Sequence, residues 1–172
     1  MGKQTNKLKK KQGVYFNIMA TRHIVKKGDA ILNKVCRPVE KFDAKLHQLL
    51  DDMAETMYKY DGVGLAGPQV GVLRRIAVID VGEGLIELIN PVITEKKGKE
   101  RDIEGCLSCP GEYGYVTRPH ECVLTAQDRN GNTYTKHLEG LFCRCACHET
   151  DHLDGQLFTR LVEEYVEPEE VK

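Results

Sequence analysis

No uninterrupted apolar run in this chain of 172 residues approaches the roughly 20 residues an α-helix needs to cross a bilayer, which argues against a membrane function. There is no secretory signal pattern, no internal repeat and no low-complexity tract, so the sequence offers neither an export address nor a solenoid. Seven cysteines are an odd set, clustered in a way that suits metal ligation better than a disulfide framework, and the expected compartment is reducing cytosol. Basic and acidic residues nearly balance, at 25 and 26, but the balance is uneven along the chain. The first eighteen residues hold five lysines and no acid. They read as a basic extension ahead of Met19 that is not part of the fold. Without them the 20 basic and 26 acidic residues of the body leave a net charge of −6, which argues against broad nucleic-acid binding.

What remains, residues 19–172, is the length of one domain. Between Asp43 and Tyr60 the residues Leu46, Leu49, Leu50, Met53 and Met57 recur at three- and four-residue steps, predicting an amphipathic helix with Asp43 as N-cap. A glycine-rich stretch from Asp61 to Gly71 leads into a strand over 75–80. Further strands are predicted over 85–93, 120–128 and 133–137, with Asn130 and Gly131 turning the last two into a hairpin. A second helix is predicted over 141–153, with Gly155 past its end. The order of elements gives an α+β domain: antiparallel strands around a C-terminal metal-binding helix, with an N-terminal amphipathic helix.

That second helix carries His148-Glu149-Thr150-Asp151-His152, an H-E-x-x-H motif. Histidines at i and i+4 lie about 40° apart in projection and can share one ion, leaving Glu149 free to handle protons. A catalytic site of this kind needs a third protein ligand and an open position. The acidic tail offers Glu163, Glu164, Glu167, Glu169 and Glu170, whereas Cys106 offers a softer thiolate beside a glycine. Leu141 and Cys145 project to the same side of the helix as the histidines and are expected to line an apolar pocket. The glycine-rich stretch around Val63 leaves a backbone edge on which an extended peptide could pair.

Three segments, Gly62 to Gln69, Glu104 to Ser108 and His148 to His152, together resemble the signature motifs of bacterial-type peptide deformylases, in their order and spacing. The resemblance implies Cys106, His148 and His152 as metal ligands and Glu149 as the catalytic acid/base. It also implies Gln69 and the Leu107 amide as donors to the developing oxyanion, and Gly62, Val63, Gly64, Leu141 and Cys145 as substrate-binding residues. The implied reaction removes the formyl group from N-formylmethionyl peptides, nascent chains at the ribosome, releasing formate. The implied cofactor is one divalent metal ion per chain, Fe(II) in the cell, with zinc, nickel or cobalt compatible in purified protein. Arg118, Glu104 and Asp151 are expected to brace the ligand-bearing segments.

Two other readings compete. One is a structural zinc site among Cys106, Cys109, Cys143, Cys145 and Cys147, weakened because Cys145 and Cys147 point about 160° apart on a regular helix; Cys36 and Cys122 read as buried small apolar residues. The other is a zinc endopeptidase with a tail glutamate as third ligand. Two departures from the deformylase pattern stand out. Gly67 occupies a position where alanine is commoner, which is expected to loosen the loop aiming Gln69. The short acidic C-terminus lacks the charge for a basic ribosome-docking helix.

Overall fold

The computed structural model describes residues 20–171, so the basic segment 1–18 lies outside the described residues. Among the described residues, two α-helices, eight strands and four short 3-10 helices make up the regular structure, the helices and strands being α1 (Ala44–Lys59), β1 (Gly64–Ala66), β2 (Ile76–Ile79), β3 (Ile86–Lys97), β4 (Glu100–Cys106), β5 (Cys109–Arg118), β6 (Glu121–Gln127), β7 (Thr133–Glu139), α2 (Gly140–Leu153) and β8 (Glu164–Val166). They form a five-stranded sheet in the order β1-β2-β3-β6-β7 and a three-stranded sheet in the order β4-β5-β8. All strand pairings in both sheets are antiparallel.

α1 forms where the apolar periodicity places it. The Asp43 carboxylate accepts from the Leu46 N–H at 3.0 Å, satisfying one of the open donors of the first turn. All five periodic residues are buried. They meet Leu65, Ile76, Val78 and Ile89, one face of the larger sheet. The alternate residues Ala66, Ala77, Ile79 and Leu88 belong to a separate core, shared with Phe142, Cys143, Ala146 and Leu153 of α2. β2 is therefore buried at every position, because a helix covers each face. Its unbroken apolar run follows from that sandwiching and not from alternation. Alanines at 66, 77 and 126 keep the α2 side of the sheet shallow, so the helix backbone can lie close to it.

The hairpin between β6 and β7 turns through five residues. Asp128 organises it: its carboxylate accepts from the backbone N–H groups of Asn130 and Asn132, and Gly131 takes φ +85°. The smaller sheet corrects the sequence reading, which placed no strand between Ile93 and His120. β3 runs on to Lys97, and β4 and β5 follow it as a second hairpin. Charged residues and glycines mask these strands. Glu100, Arg101, Asp102 and Glu104 give β4 no alternating pattern, and it is held by its backbone pairing with β5 and by a small core of Leu32, Cys109, Val116, Leu157 and Phe158. The missed strand β8 is three residues long and closes the far edge of that sheet.

Candidate active site

The tight turn from β4 to β5 presents Cys106 toward α2. Gly105, just before it, leaves room for the Tyr113 ring; a Cβ there would lie 2.7 Å from Tyr113 Cε1. Cys106 Sγ lies 3.4 Å from His152 Nε2, and the potential donor atoms of Cys106, His148 and His152 all fall within 4.8 Å of one another. Metal–sulfur and metal–nitrogen bonds of about 2.3 and 2.05 Å at tetrahedral angles would separate the two donors by about 3.6 Å. The trio therefore fits one metal ion, with a fourth position left over. Glu163 and Glu164, the tail acids of the endopeptidase reading, bond Arg101 on the surface instead.

The imidazoles are prepared differently. His152 is buried and sits beside His148, and burial foremost holds its pKa well below the ordinary histidine value, so it is a neutral donor. Burial also works against a charge on His148. There the Glu104 carboxylate at 3.0 Å from Nδ1, together with the nearby Glu149, raises the pKa instead. The surrounding acids thus favour positive charge at this point, and Glu104 fixes the tautomer that leaves Nε2 free. The Cys106 thiol is raised by its Cys109 contact and by burial in the polypeptide alone. A bound dication reverses that, because a coordinated thiol loses its proton outright.

Glu104 is the hub of the bracing cluster. It accepts from Arg118 Nε and Nη2 at 2.7 and 3.0 Å and from Arg144 Nη1 at 2.9 Å, and Arg118 Nη1 reaches Asp151 at 2.6 Å. The expected grouping of Arg118, Glu104 and Asp151 is present, but Arg144 was missed. Its guanidinium also donates to the carbonyls of Val116 and Glu100, tying α2 to the smaller sheet. A helical position four residues before His148 was the available signal.

Glu149 is buried, and its Oε2 has no hydrogen-bond partner. Burial pushes the carboxyl up to about 7. It faces Gly64 on β1 so closely that a Cβ at that position would collide with the carboxylate. Gln69 is equally fixed: its Oε1 accepts from the Ala66 N–H at 2.9 Å, and its Nε2 donates to Ser108 Oγ at 3.2 Å and to Cys106 Sγ at 3.4 Å. The turn that carries it is closely packed around Gly67. A Cβ at Gly67 would lie 2.7 and 2.8 Å from the carbonyl oxygens of Val72 and Arg74, so a side chain here would have to displace backbone in this tightly folded turn.

A cleft of about 600 Å³ opens over these groups, lined by Gly62, Val63, Gly64, Gln69, Cys106, Leu107, Leu141, Cys145, His148 and Glu149. Leu141 is half exposed and forms its rim, whereas Cys145 is buried in the wall. Gly105, within the Glu104 to Ser108 motif, also lines it, as do Ile103 and Tyr113 of the smaller sheet, which carry no sequence signal. β1 pairs only with β2, so its other backbone edge borders the cleft, opposite β4.

The polypeptide deformylase family profile matches residues 21–166. A peptide deformylase of Caldicellulosiruptor bescii is 54% identical over 154 residues, covering 90% of this chain and 93% of its own. Peptide deformylase 1 of Clostridium acetobutylicum is 55% identical over 140 residues, 81% of this chain and 93% of its own. The crystal structure of the Thermotoga maritima peptide deformylase superposes with a TM-score of 0.82 at 41% identity, covering 83% of this chain and 98% of that one. A Synechococcus elongatus peptide deformylase in complex with actinonin superposes at 0.80 with 36% identity, covering 87% of this chain and 88% of that one. With the motifs, the fold and the matched length in agreement, the chain belongs to the polypeptide deformylase family.

Proposed function

We infer that this chain is a metal-dependent hydrolase that removes the N-formyl group from the N-terminal formylmethionine of new polypeptides, releasing formate. The observation that carries the reading is the meeting of Cys106, His148 and His152 beside an unpartnered, buried Glu149 on the floor of an open cleft. Cys106, His148 and His152 would hold a divalent metal ion, which would supply Lewis-acid chemistry and make water a stronger nucleophile.

The protein's own residues do the rest. The segment Gly62, Val63 and Gly64, leading into the free edge of β1, pairs with the extended peptide, and the wall at Leu141 and Cys145 receives its first side chain. Glu149 takes a proton from the attacking water and returns it to the departing amine; a pKa near neutrality suits both transfers. Gln69 Nε2 and the Leu107 amide stabilise the oxygen that becomes negative when the formyl carbon turns tetrahedral. Because the resemblance points to Fe(II) in the cell, zinc, nickel or cobalt would be replacements acquired on purification. The site of action is nascent chains at the ribosome in the cytoplasm; among the described residues no helix is long and apolar enough to cross a membrane.

The test is formate release from formyl-Met-Ala-Ser by anaerobically purified protein, with metal content measured on the same sample. Release by the parent, and its loss in a Glu149→Ala variant that keeps its metal, is the expected result. A metal-loaded parent that releases no formate with Fe(II), Ni(II) or Co(II) would sink the assignment.

A further inference from the structure

The flank of α2 away from the cleft carries a second set of soft donors. Cys143 and Cys147 lie one turn apart, and Cys122 faces them from β6, so that all three sulfurs fall within 4.8 Å of one another. Cys143 Sγ is 2.8 Å from Cys122 Sγ, and the three residues are 0%, 5% and 0% exposed in the order 143, 147 and 122. Cys122 is buried in the core as expected; Cys145 and Cys147 diverge on the helix, but Cys143 and Cys147 share a face.

From this geometry we propose that Cys122, Cys143 and Cys147 form a three-coordinate thiolate site for one Cu(I) ion, separate from the Cys106 centre. A trigonal ion with bonds of about 2.3 Å would hold its sulfurs about 4.0 Å apart; all three sulfurs lie within 4.8 Å of one another, and the 2.8 Å between Cys143 and Cys122 would have to open by about 1 Å to admit the ion. No other His, Cys, Asp or Glu among the described residues joins the trio. Zinc sites of this kind require a fourth ligand, whereas soft thiolate ligation selects Cu(I). Leu124, Leu138 and Phe142 belong to the same core, and the Pro119 carbonyl lies 3.4 Å from Cys143 Sγ. A second cleft, of about 260 Å³, reaches Cys147 between Lys96, Thr150 and Asp151 and provides an entry path with a cation at its rim.

The test starts from protein whose Cys106 centre has been filled with Ni(II), titrated anaerobically with Cu(I) against a competing chelator. The expected result is uptake of one equivalent of copper with no release of nickel, and an X-ray absorption spectrum showing three sulfur neighbours. Cys122→Ala and Cys143→Ala should each lose the copper equivalent while keeping nickel and helical circular dichroism, and Cys36→Ala should keep both ions. The absorption spectrum of the unaltered protein decides the matter even if a variant fails to fold. No copper uptake, copper gained only as nickel leaves, uptake of Zn(II) but not Cu(I), or a mass two hydrogens low that identifies a Cys122–Cys143 disulfide would each overturn the proposal.

Discussion

Replacing Glu104 with glutamine removes one negative charge from a site with four hydrogen bonds to it. The wild-type carboxylate, with its side chain 4% exposed, accepts two bonds from Arg118, one from Arg144 and one from His148. An amide keeps one acceptor oxygen and turns the other arm into a donor aimed at N–H groups. Arg118 then retains Asp151, and Arg144 retains the carbonyls of Val116 and Glu100, so neither guanidinium is stripped bare. Breaking a buried ion pair from one side costs roughly 3–5 kcal/mol, and these surviving partners place Glu104→Gln near the lower end, about 3 kcal/mol. Asp151→Asn is the comparison: its side chain is 28% exposed and makes one bond in the cluster, so its cost should be about 1 kcal/mol. Urea unfolding of the metal-free proteins measures both. Metal affinity, read by chelator competition, should fall about 10- to 100-fold in Glu104→Gln because His148 loses the group that orients it. Burial alone would push the Glu104 carboxyl up, but the bonds from His148 and Arg118 outweigh it and hold it well below the ordinary range. Its stabilisation is therefore complete above the unfolded pKa of about 4.3 and is lost as pH falls through the folded value. Wild-type stability should accordingly fall more steeply below about pH 5 than that of Glu104→Gln. Equal urea shifts in the two variants, with unchanged metal affinity, would refute the hub role.

Three further outcomes are expected. Gln69→Ala should lower kcat for formate release by about 10²- to 10³-fold with metal content unchanged, as for loss of one oxyanion donor. Gly64→Ala should reduce kcat/KM, because the new methyl group must displace the Glu149 carboxylate; a crystal structure of the variant would show which of the two moved. Acidification below about pH 6 should release the catalytic ion, since a proton competes for His148, and dialysis at stepped pH followed by metal analysis checks it.

The elements legible in the sequence were those fixed by a single local signal. α1 had its heptad-like spacing and an Asp43 cap, β2 its apolar run, the β6–β7 hairpin its Asn130 and Gly131, and α2 its paired histidines. β4 and β5 had none, because their stability comes from pairing with each other and from a core assembled by Leu32, Leu157 and Phe158, which lie far away in sequence. The same distinction separates the site residues. His148, Glu149 and His152 announce themselves by spacing, whereas Arg144 looks like an ordinary surface arginine until the smaller sheet folds over it and supplies two carbonyls. The enclosure of Gly67 is hidden for a related reason: the backbone oxygens around it come from the chain beyond the turn.

One helix carries members of both proposed ligand sets because of how it lies on the larger sheet. Residues 143 and 147 repeat at i and i+4, as do 148 and 152, and the step from 147 to 148 rotates about 100° around the helix axis. The first pair consequently faces β6, where Cys122 stands in the alternation with Leu124 and Ala126. The second faces the β4–β5 turn that holds Cys106. Small residues under α2 allow the close approach that brings Cys122 within reach, and the Glu104 cluster fixes the helix against the other sheet. A shift of α2 along its axis would misplace both sulfur-containing sites together. Core substitutions that enlarge Ala77 or Ala126 should therefore weaken nickel and copper binding in parallel, whereas Glu104→Gln should act first on the histidine site.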